Sequence, residues 1–277
     1  MTDGWFAGLD PDDEAAAAER IAGGRAERPE NWPERAVAAG FAPDTGTYYE
    51  RLHAATMAAT EAAVTERERA DDQQLVHAVR AMADCERTAN ELAERVAEWG
   101  GSRYGESGSG VAYARELADR ETGDTADRAL RSLAERVVDV DEEGDELRAY
   151  IERTAPAVAP NLSMLAGPVL AARLVSLAGG LGDLAKKPSG TVQVLGAEDA
   201  LFAHLRGSAP SPKHGIIFTH EYVSGTRREE RGSAARALAG KLSIAARIDH
   251  YSGDRRPELQ AELDERIERI RTRGESE

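Results

Sequence analysis

The chain has 277 residues, and its 35 Lys and Arg against 50 Asp and Glu give a formal charge of −15. That length holds one large domain or two to three small ones, each able to bury a core. A single cysteine, Cys85, excludes a disulfide framework and any multi-cysteine zinc site.

In chain order, residues 1–46 read as a weakly organised segment. It has two short helical patches, Asp12–Ala22 and Pro33–Ala39, and is too small for a core of its own. Thr47 to Trp99 contains neither Pro nor Gly, which predicts one helix about 80 Å long at 1.5 Å per residue. Its second half carries an apolar seam: Leu75, Val79, Met82, Ala89, Leu92, Val96 and Trp99, in steps of mostly three and four. A Gly-rich turn follows, then a second helical stretch broken near Gly123 and Gly144, with the seam Leu130, Leu133, Val137, Val140, Leu147 and Ile151. Two such arms predict a long antiparallel coiled coil over residues 47–156. Leu75, Val79, Met82, Leu92 and Val96 are expected to bury against a second copy of the chain as well, giving a homodimer.

From Pro156 the segments shorten and become richer in Gly and Pro. Helices are predicted at Leu162–Ala178, Ala197–Leu205, Arg231–Arg247 and Pro257–Arg271, with Thr191–Leu195 and Gly215–Phe218 as short β-like runs or buried turns. The apolar run Leu162 to Gly182 has the length of a bilayer span, but Arg173 at its centre and Pro168 predict a buried helix pair, so no membrane partner is expected.

Charge divides unevenly along the chain. Residues 1–156 hold 18 basic against 35 acidic side chains, residues 157–256 hold 13 against 8, and residues 257–277 hold 4 against 7. One basic block on an acidic body suits a polyanion partner. Only four of the basic residues are lysines. With so many acids, this composition predicts a protein adapted to molar salt, as in halophilic archaea. The opening residues Met1–Phe6 show neither a cationic start nor a long apolar run. They are unlike a secretory leader, and a cytoplasmic location is expected.

Catalytic chemistry is hard to assemble from this sequence. Gly240-Lys241-Leu242-Ser243 lacks the upstream Gly and the adjacent Ser or Thr of a phosphate loop. Gly179-Gly180-Leu181-Gly182 followed by Lys186-Lys187 could hold a phosphate, but no clear strand precedes it. No two of the six histidines have the spacing of a helical zinc site, and Cys85 sits on an acidic helix that would not lower its pKa. No catalytic residue, metal or cofactor is expected. Residues 186–256, in contrast, disperse Lys, Arg and His among Phe202, Phe218, Tyr222 and Tyr251. Guanidinium forks suit phosphate oxygens, and aromatic or imidazole planes suit unstacked bases.

Four stretches resemble the Nop-domain family: the run beginning Ala159-Pro-Asn-Leu-Ser-Met, Gly196-Ala-Glu-Asp-Ala-Leu-Phe202, Lys213-His-Gly-Ile-Ile-Phe218, and Arg236-Ala-Leu-Ala-Gly-Lys-Leu-Ser-Ile-Ala-Ala-Arg-Ile-Asp249. Thr47-Tyr-Tyr-Glu-Arg-Leu52 is similar to the start of that family's coiled coil, so the likeness runs from about Thr47 to Arg271. The resemblance implies an all-α protein with a coiled coil and a compact helical Nop domain over 157–277. It implies a non-catalytic scaffold of box C/D ribonucleoproteins, which direct 2′-O-methylation of RNA. The implied partners are a guide RNA with a kink-turn, a small kink-turn-binding protein of ribosomal type, a second copy, and fibrillarin, the methyltransferase. Residues 1–46 are shorter than the family's N-terminal domain, implying a reduced fibrillarin-binding region. Asp199 and Ser233 stand where the family commonly has Lys.

On this basis RNA is expected at the loop and helix start Gly196, Ala197 and Glu198, at Lys213 and His214, and along Arg231, Arg236, Lys241 and Arg247. Arg236 and Arg247 are eleven residues apart and share a helix face. Leu201 and Phe202 are expected in the core. An alternative reading is an acidic coiled-coil interaction module whose Nop-like domain no longer binds RNA. A third is a phosphate-ester enzyme built on Gly179–Lys187.

Overall fold

A computed structural model describes residues 4–26, 30–121 and 123–273, and the chain divides into two compact units at Ala70–Asp71. Every regular element among the described residues is helical. The β alternative for the two short runs is therefore corrected, and the turn alternative holds at the second. Thr191–Val194 lies in a helix, and Ile216–Thr219 forms one turn of 3-10 helix.

The first unit holds α1 (Glu14–Gly23), α2 (Trp32–Ala38) and α3 (Thr45–Arg69). Asp13 and Asp44 cap α1 and α3 through their carboxylates. The N-terminal segment does have a core, because it borrows the start of α3. Phe6, Ala36, Phe41 and Tyr48 are buried together, Trp5 meets Phe41 edge to face at 5.2 Å, and its indole N–H donates to Tyr48 Oη at 3.1 Å. Tyr48 thus serves this aromatic cluster rather than opening a long seam.

The predicted helix Thr47–Trp99 is broken. α3 ends at Ala70, whose ψ of 143° leaves the helical range, and α4 starts afresh at Asp71. Asp71 and Asp72 put two carboxylates where a helix N-terminus favours negative charge.

The second unit begins with α4 (Asp71–Tyr104), α5 (Gly110–Ala118) and α6 (Thr125–Val158). α4 and α6 run antiparallel. Late α4 (Ala93, Val96) packs on early α6 (Leu130, Ala134, Val137), and early α4 (Leu75, Val79, Met82) packs on late α6 (Ile151, Ala155). α6 is not interrupted at Gly144. That glycine is buried where the two helices approach, and a Cβ there would lie 3.5 Å from the Cβ of Cys85. The expected dimer seam is therefore filled from within: Leu75, Val79, Met82 and Val96 are buried by the chain's own return helix and α5, and Leu92 is half-buried beside them. Four of the five are thus buried within the chain, and Leu92 keeps part of its surface exposed.

The rest is a compact helical body: α7 (Pro160–Ala166), α8 (Pro168–Ala178), α9 (Leu181–Lys186), α10 (Ser189–Val194), α11 (Glu198–Leu205), α12 (Glu221–Ser224), α13 (Arg231–Tyr251) and α14 (Glu258–Arg273). α7 and α8 bend by 117° at Gly167, whose φ of 77° favours glycine. Among the described residues no single helix is long and apolar enough to cross a membrane, and this bent pair lies mostly in the core. α13 is the central post. Its Ala234, Ala235, Ala239, Ala245 and Ala246 are small enough to let α7, α9 and α10 pack against it, around Leu238 and Leu242. α8 lies on α4 and α6 and ties the helix pair to this body. Glu86 on α4 pairs there with Arg148 of α6 at 2.6 Å and Arg173 of α8 at 3.4 Å.

The Gly179–Gly182 turn offers no phosphate cradle. The amides of Gly179 and Gly180 bond Val175 and Ser176 carbonyls, the Leu181 amide donates to Asp72 at 2.8 Å, and the Gly179 carbonyl accepts from Gln73. A Cβ on Gly182 would sit 3.0 Å from the His250 ring. Gly182 serves close packing, and the Gly179, Gly180 and Leu181 amides are already bonded.

Candidate nucleic-acid interface

The site is built where the segment between α11 and the 3-10 turn returns beside α10. Gly215 and Ile216 donate their amides to Gln193 and Leu195 carbonyls at 2.8 and 2.7 Å, and Gln193 Nε2 donates to the Lys213 carbonyl at 2.7 Å. Gly215 has to be glycine, because a Cβ would meet the Leu195 carbonyl oxygen at 1.9 Å. This two-sided anchoring fixes Lys213 in the wall of a groove of about 660 Å³, with His214 next in the chain. Thr191 and Gln193 of α10, Leu201 of α11, and Ser233 and Arg236 of α13 line its walls, with Lys213 and Glu229 also present.

Beside the groove lies a planar stack. The His214 ring stacks on Phe218 with centroids 4.6 Å apart and planes 19° apart, and the Arg231 guanidinium sits 5.3 Å from the Phe218 centroid. Phe218 is 36% exposed, so the stack lies partly in solvent. Burial, and then the charge of Arg231, push the His214 pKa down, which favours a neutral imidazole. Such planes can take an unstacked base while Lys213 and Arg236 meet phosphate. The sequence places Phe218 among the interleaved aromatic residues but not among the named RNA contacts. Its motif position was legible, but its exposure was not.

The expected site residues divide. Lys213, His214 and Arg236 are brought to one place. Arg231 is partly spent: its Nε donates to the Thr226 carbonyl at 3.0 Å and its Nη2 to the Ser224 carbonyl at 3.2 Å. Lys241 is ion-paired with Glu262. Arg247 turns away from Arg236's use altogether, donating to the carbonyls of Ala185 at 3.1 Å and Lys187 at 3.4 Å. Sharing a helix face did not give these two arginines one role, because the C-terminus of α9 presents unpaired carbonyls to Arg247.

The turn at Gly196 and Ala197 is also less open than expected. Glu198 folds back and accepts the Gly196 amide at 2.8 Å, and Glu198 and Asp199 fill the first turn of α11 with negative charge. An incoming phosphate would meet those carboxylates first. α11 itself has no buried residue; Phe202 is 56% and Leu205 71% exposed, and Leu201 is half-buried. The expected core role of Leu201 and Phe202 is therefore corrected: Phe202 is exposed, and Leu201 is half-buried in the groove wall. Among the described residues no group of three or more His, Cys, Asp or Glu is placed to hold a metal ion.

A helical body with an acidic exterior and a cationic groove beside open planar side chains has the form of a polyanion-binding scaffold. The Nop family model, described as "snoRNA binding domain, fibrillarin", matches residues 71–271, and the chain belongs to that family. A NOP5 family protein of Methanocaldococcus jannaschii is 34% identical over 84% of this chain and 65% of its own length. Nucleolar protein 58 of Botryotinia fuckeliana is 34% identical over 65% of this chain and 38% of its own length. The chain thus spans less than two thirds of these relatives. The crystal structure of a fibrillarin/Nop5p complex contains a chain that superposes with a TM-score of 0.55 at 25% identity, covering 97% of this chain and 98% of that one. The relatives' names correct the expected cytoplasmic location: the fungal and Dictyostelium discoideum proteins are nucleolar, and the archaeal relative's name carries no location.

Proposed function

We propose that this chain is the RNA-binding scaffold of a box C/D ribonucleoprotein that guides 2′-O-methylation, itself non-catalytic, with methyl transfer left to fibrillarin. The family match supports the reading. The observation that carries it is the groove lined by Lys213 and Arg236, with the His214–Phe218 stack beginning at the next residue of the same segment. A kinked RNA offers both chemistries this groove can take, a phosphate backbone and splayed bases. A small kink-turn-binding protein is the proposed partner of α11, whose Phe202 and Leu205 are exposed beside the groove. Fibrillarin is the proposed partner of the first unit. A homodimer would use faces of the helix pair other than the filled seam, where Trp99 and Tyr150 remain exposed.

Gel-shift titration with a kink-turn RNA, with and without the kink-turn-binding protein, tests the reading. K213A/R236A should weaken binding at least about tenfold, from two charge-assisted contacts of about 1.5–3 kcal/mol each. Equal affinity for a regular duplex of the same length, or no effect of the double substitution, would favour the alternative of a protein-interaction module. That alternative draws support from the carboxylates at the start of α11. The acid-rich exterior is proposed as an adaptation to concentrated salt, so the melting temperature should rise with KCl; a flat or falling curve opposes it.

A further inference from the structure

A second groove, of about 670 Å³, lies between α13 and α14, and Ser233 and Arg236 line both it and the first. Arg236 is thus the point where one groove passes into the next. α14 lines the second groove with Arg266, Arg269 and Arg273, three and four residues apart on one face, reaching roughly 10 Å along the helix. Two acids face them. Glu262 is already neutralised by Lys241, which leaves Glu265 against four arginines. Arg236, Arg266 and Arg273 have no carboxylate partner among the described residues, and all four arginines are solvent-exposed. On a chain of charge −15 such a run is a local reversal of sign.

The helix dipole accounts for cations in the last turn only. Arg266 lies two turns before the end of α14, where that stabilisation has faded. Other arginines nearby are committed inward: Arg271 donates to the Glu221 carbonyl and the Thr226 hydroxyl. Arg266 and Arg273 have no such use. Their guanidinium forks point at the one kind of ligand that runs continuously from the first groove, a chain of phosphates.

We propose that the α13–α14 groove is a phosphate-backbone track that carries the stem of the RNA onward from the Lys213–Arg236 cradle, through Arg266, Arg269 and Arg273. The track rests on the reading of that cradle as an RNA site. It adds sequence-independent affinity, grows with stem length, and is salt-sensitive.

The test uses the full chain, a short-stemmed kink-turn RNA, and the same RNA with its stem lengthened by about ten base pairs. The wild-type chain should bind the long RNA more tightly. R266Q/R269Q/R273Q should lose about tenfold or more on the long RNA and little on the short one. Its salt slope on the long RNA should be shallower by about three. A charge-matched control on the helix pair, R87Q/R95Q/R136Q, should leave both affinities as in wild type. Far-UV circular dichroism and melting check that both variants are folded; if the groove variant melts early, R266Q alone is used, with a slope change of about one expected. Equal losses in groove variant and control, or no loss in the groove variant while wild type binds both RNAs, overturn the track and leave the cradle standing. A wild-type chain that binds neither RNA overturns both.

Discussion

Replacing Asn161 with alanine should remove the tie that holds α7, α13 and the turn after α13 together. Asn161 is only 1% exposed. Its Nδ2 donates to Asp249 Oδ1 at 2.6 Å and to the Asp254 carbonyl at 2.8 Å, and its Oδ1 accepts the Arg256 amide at 2.7 Å. Asp249 also accepts the backbone amides of Asn161 and Leu162, at 3.0 and 2.8 Å, at the start of α7. The substitution deletes two ordinary hydrogen bonds and one to a carboxylate and leaves their partners half-buried, which sums to about 3–5 kcal/mol. For a unit of about 200 residues that is a fall in melting temperature of about 10 °C. Asp249→Asn keeps the shape but presents one acceptor oxygen in place of two, and should cost about 2–3 kcal/mol. Thermal melts followed by circular dichroism read both. A fall of less than about 3 °C for Asn161→Ala would refute the assignment of these motif residues to the fold rather than to RNA.

Gly215→Ala should displace Lys213 and His214, because the new Cβ cannot coexist with the Leu195 carbonyl; RNA affinity should fall several-fold while the helical spectrum persists, and unchanged affinity would detach the anchored turn from binding. Arg247→Ala should cost about 1–2 kcal/mol of stability through the lost carbonyl contacts and leave the RNA affinity of the folded protein within about twofold, by titration of melted and unmelted fractions. Asp127, at the start of α6, has its pKa held well below the usual carboxylate range. Arg103 is the first cause, followed by backbone amides and the Tyr104 hydroxyl, against an opposing cost of burial. A depressed folded pKa adds stability above the unfolded value of about 3.9 that is lost as pH falls through the folded value. Asp127→Asn should therefore destabilise at neutral pH and progressively less below about pH 4, and parallel urea midpoints across that range would contradict this.

The helices that were legible were those with a repeating apolar stripe and a marked start. The spacing Leu75, Val79, Met82 and its counterpart on α6 predicted two antiparallel arms, and the predicted helix Pro257–Arg271 is α14, which buries Leu259, Leu263, Ile267 and Ile270. The break at Ala70 was not legible, because neither Pro nor Gly marks it and two acids begin a helix as readily as they continue one. Gly144 was misread for the opposite reason. A glycine weakens a lone helix, but here it sits where a neighbouring helix comes closest. The same limit governs the site. Residue types announced a cationic region with planar side chains. Whether a given cation was free depended on which carbonyl or carboxylate lay within reach, and that is fixed only when distant segments meet.

Arginine's shape explains why composition alone overcounted the binding cations. Arg231, Arg247 and Arg271 each donate to two acceptors from different residues: the Thr226 and Ser224 carbonyls, the Ala185 and Lys187 carbonyls, and the Thr226 hydroxyl with the Glu221 carbonyl. Ala185, Lys187 and Ser224 stand at the ends of α9 and α12, where the last carbonyls of a helix lack intrahelical partners; Glu221 and Thr226 belong to the short α12 and the turn after it. A planar fork meets two such oxygens at once, and a lysine ammonium on a flexible stem does so poorly. An Arg-rich basic set therefore need not mean an RNA-rich surface, since part of it is consumed in closing short helices. Lys213 and Arg236, whose side chains no carbonyl or carboxylate among the described residues claims, are the cations the fold leaves at the groove beside the His214–Phe218 stack. For that reason the double substitution K213A/R236A, rather than any change at Arg231 or Arg247, separates binding from folding.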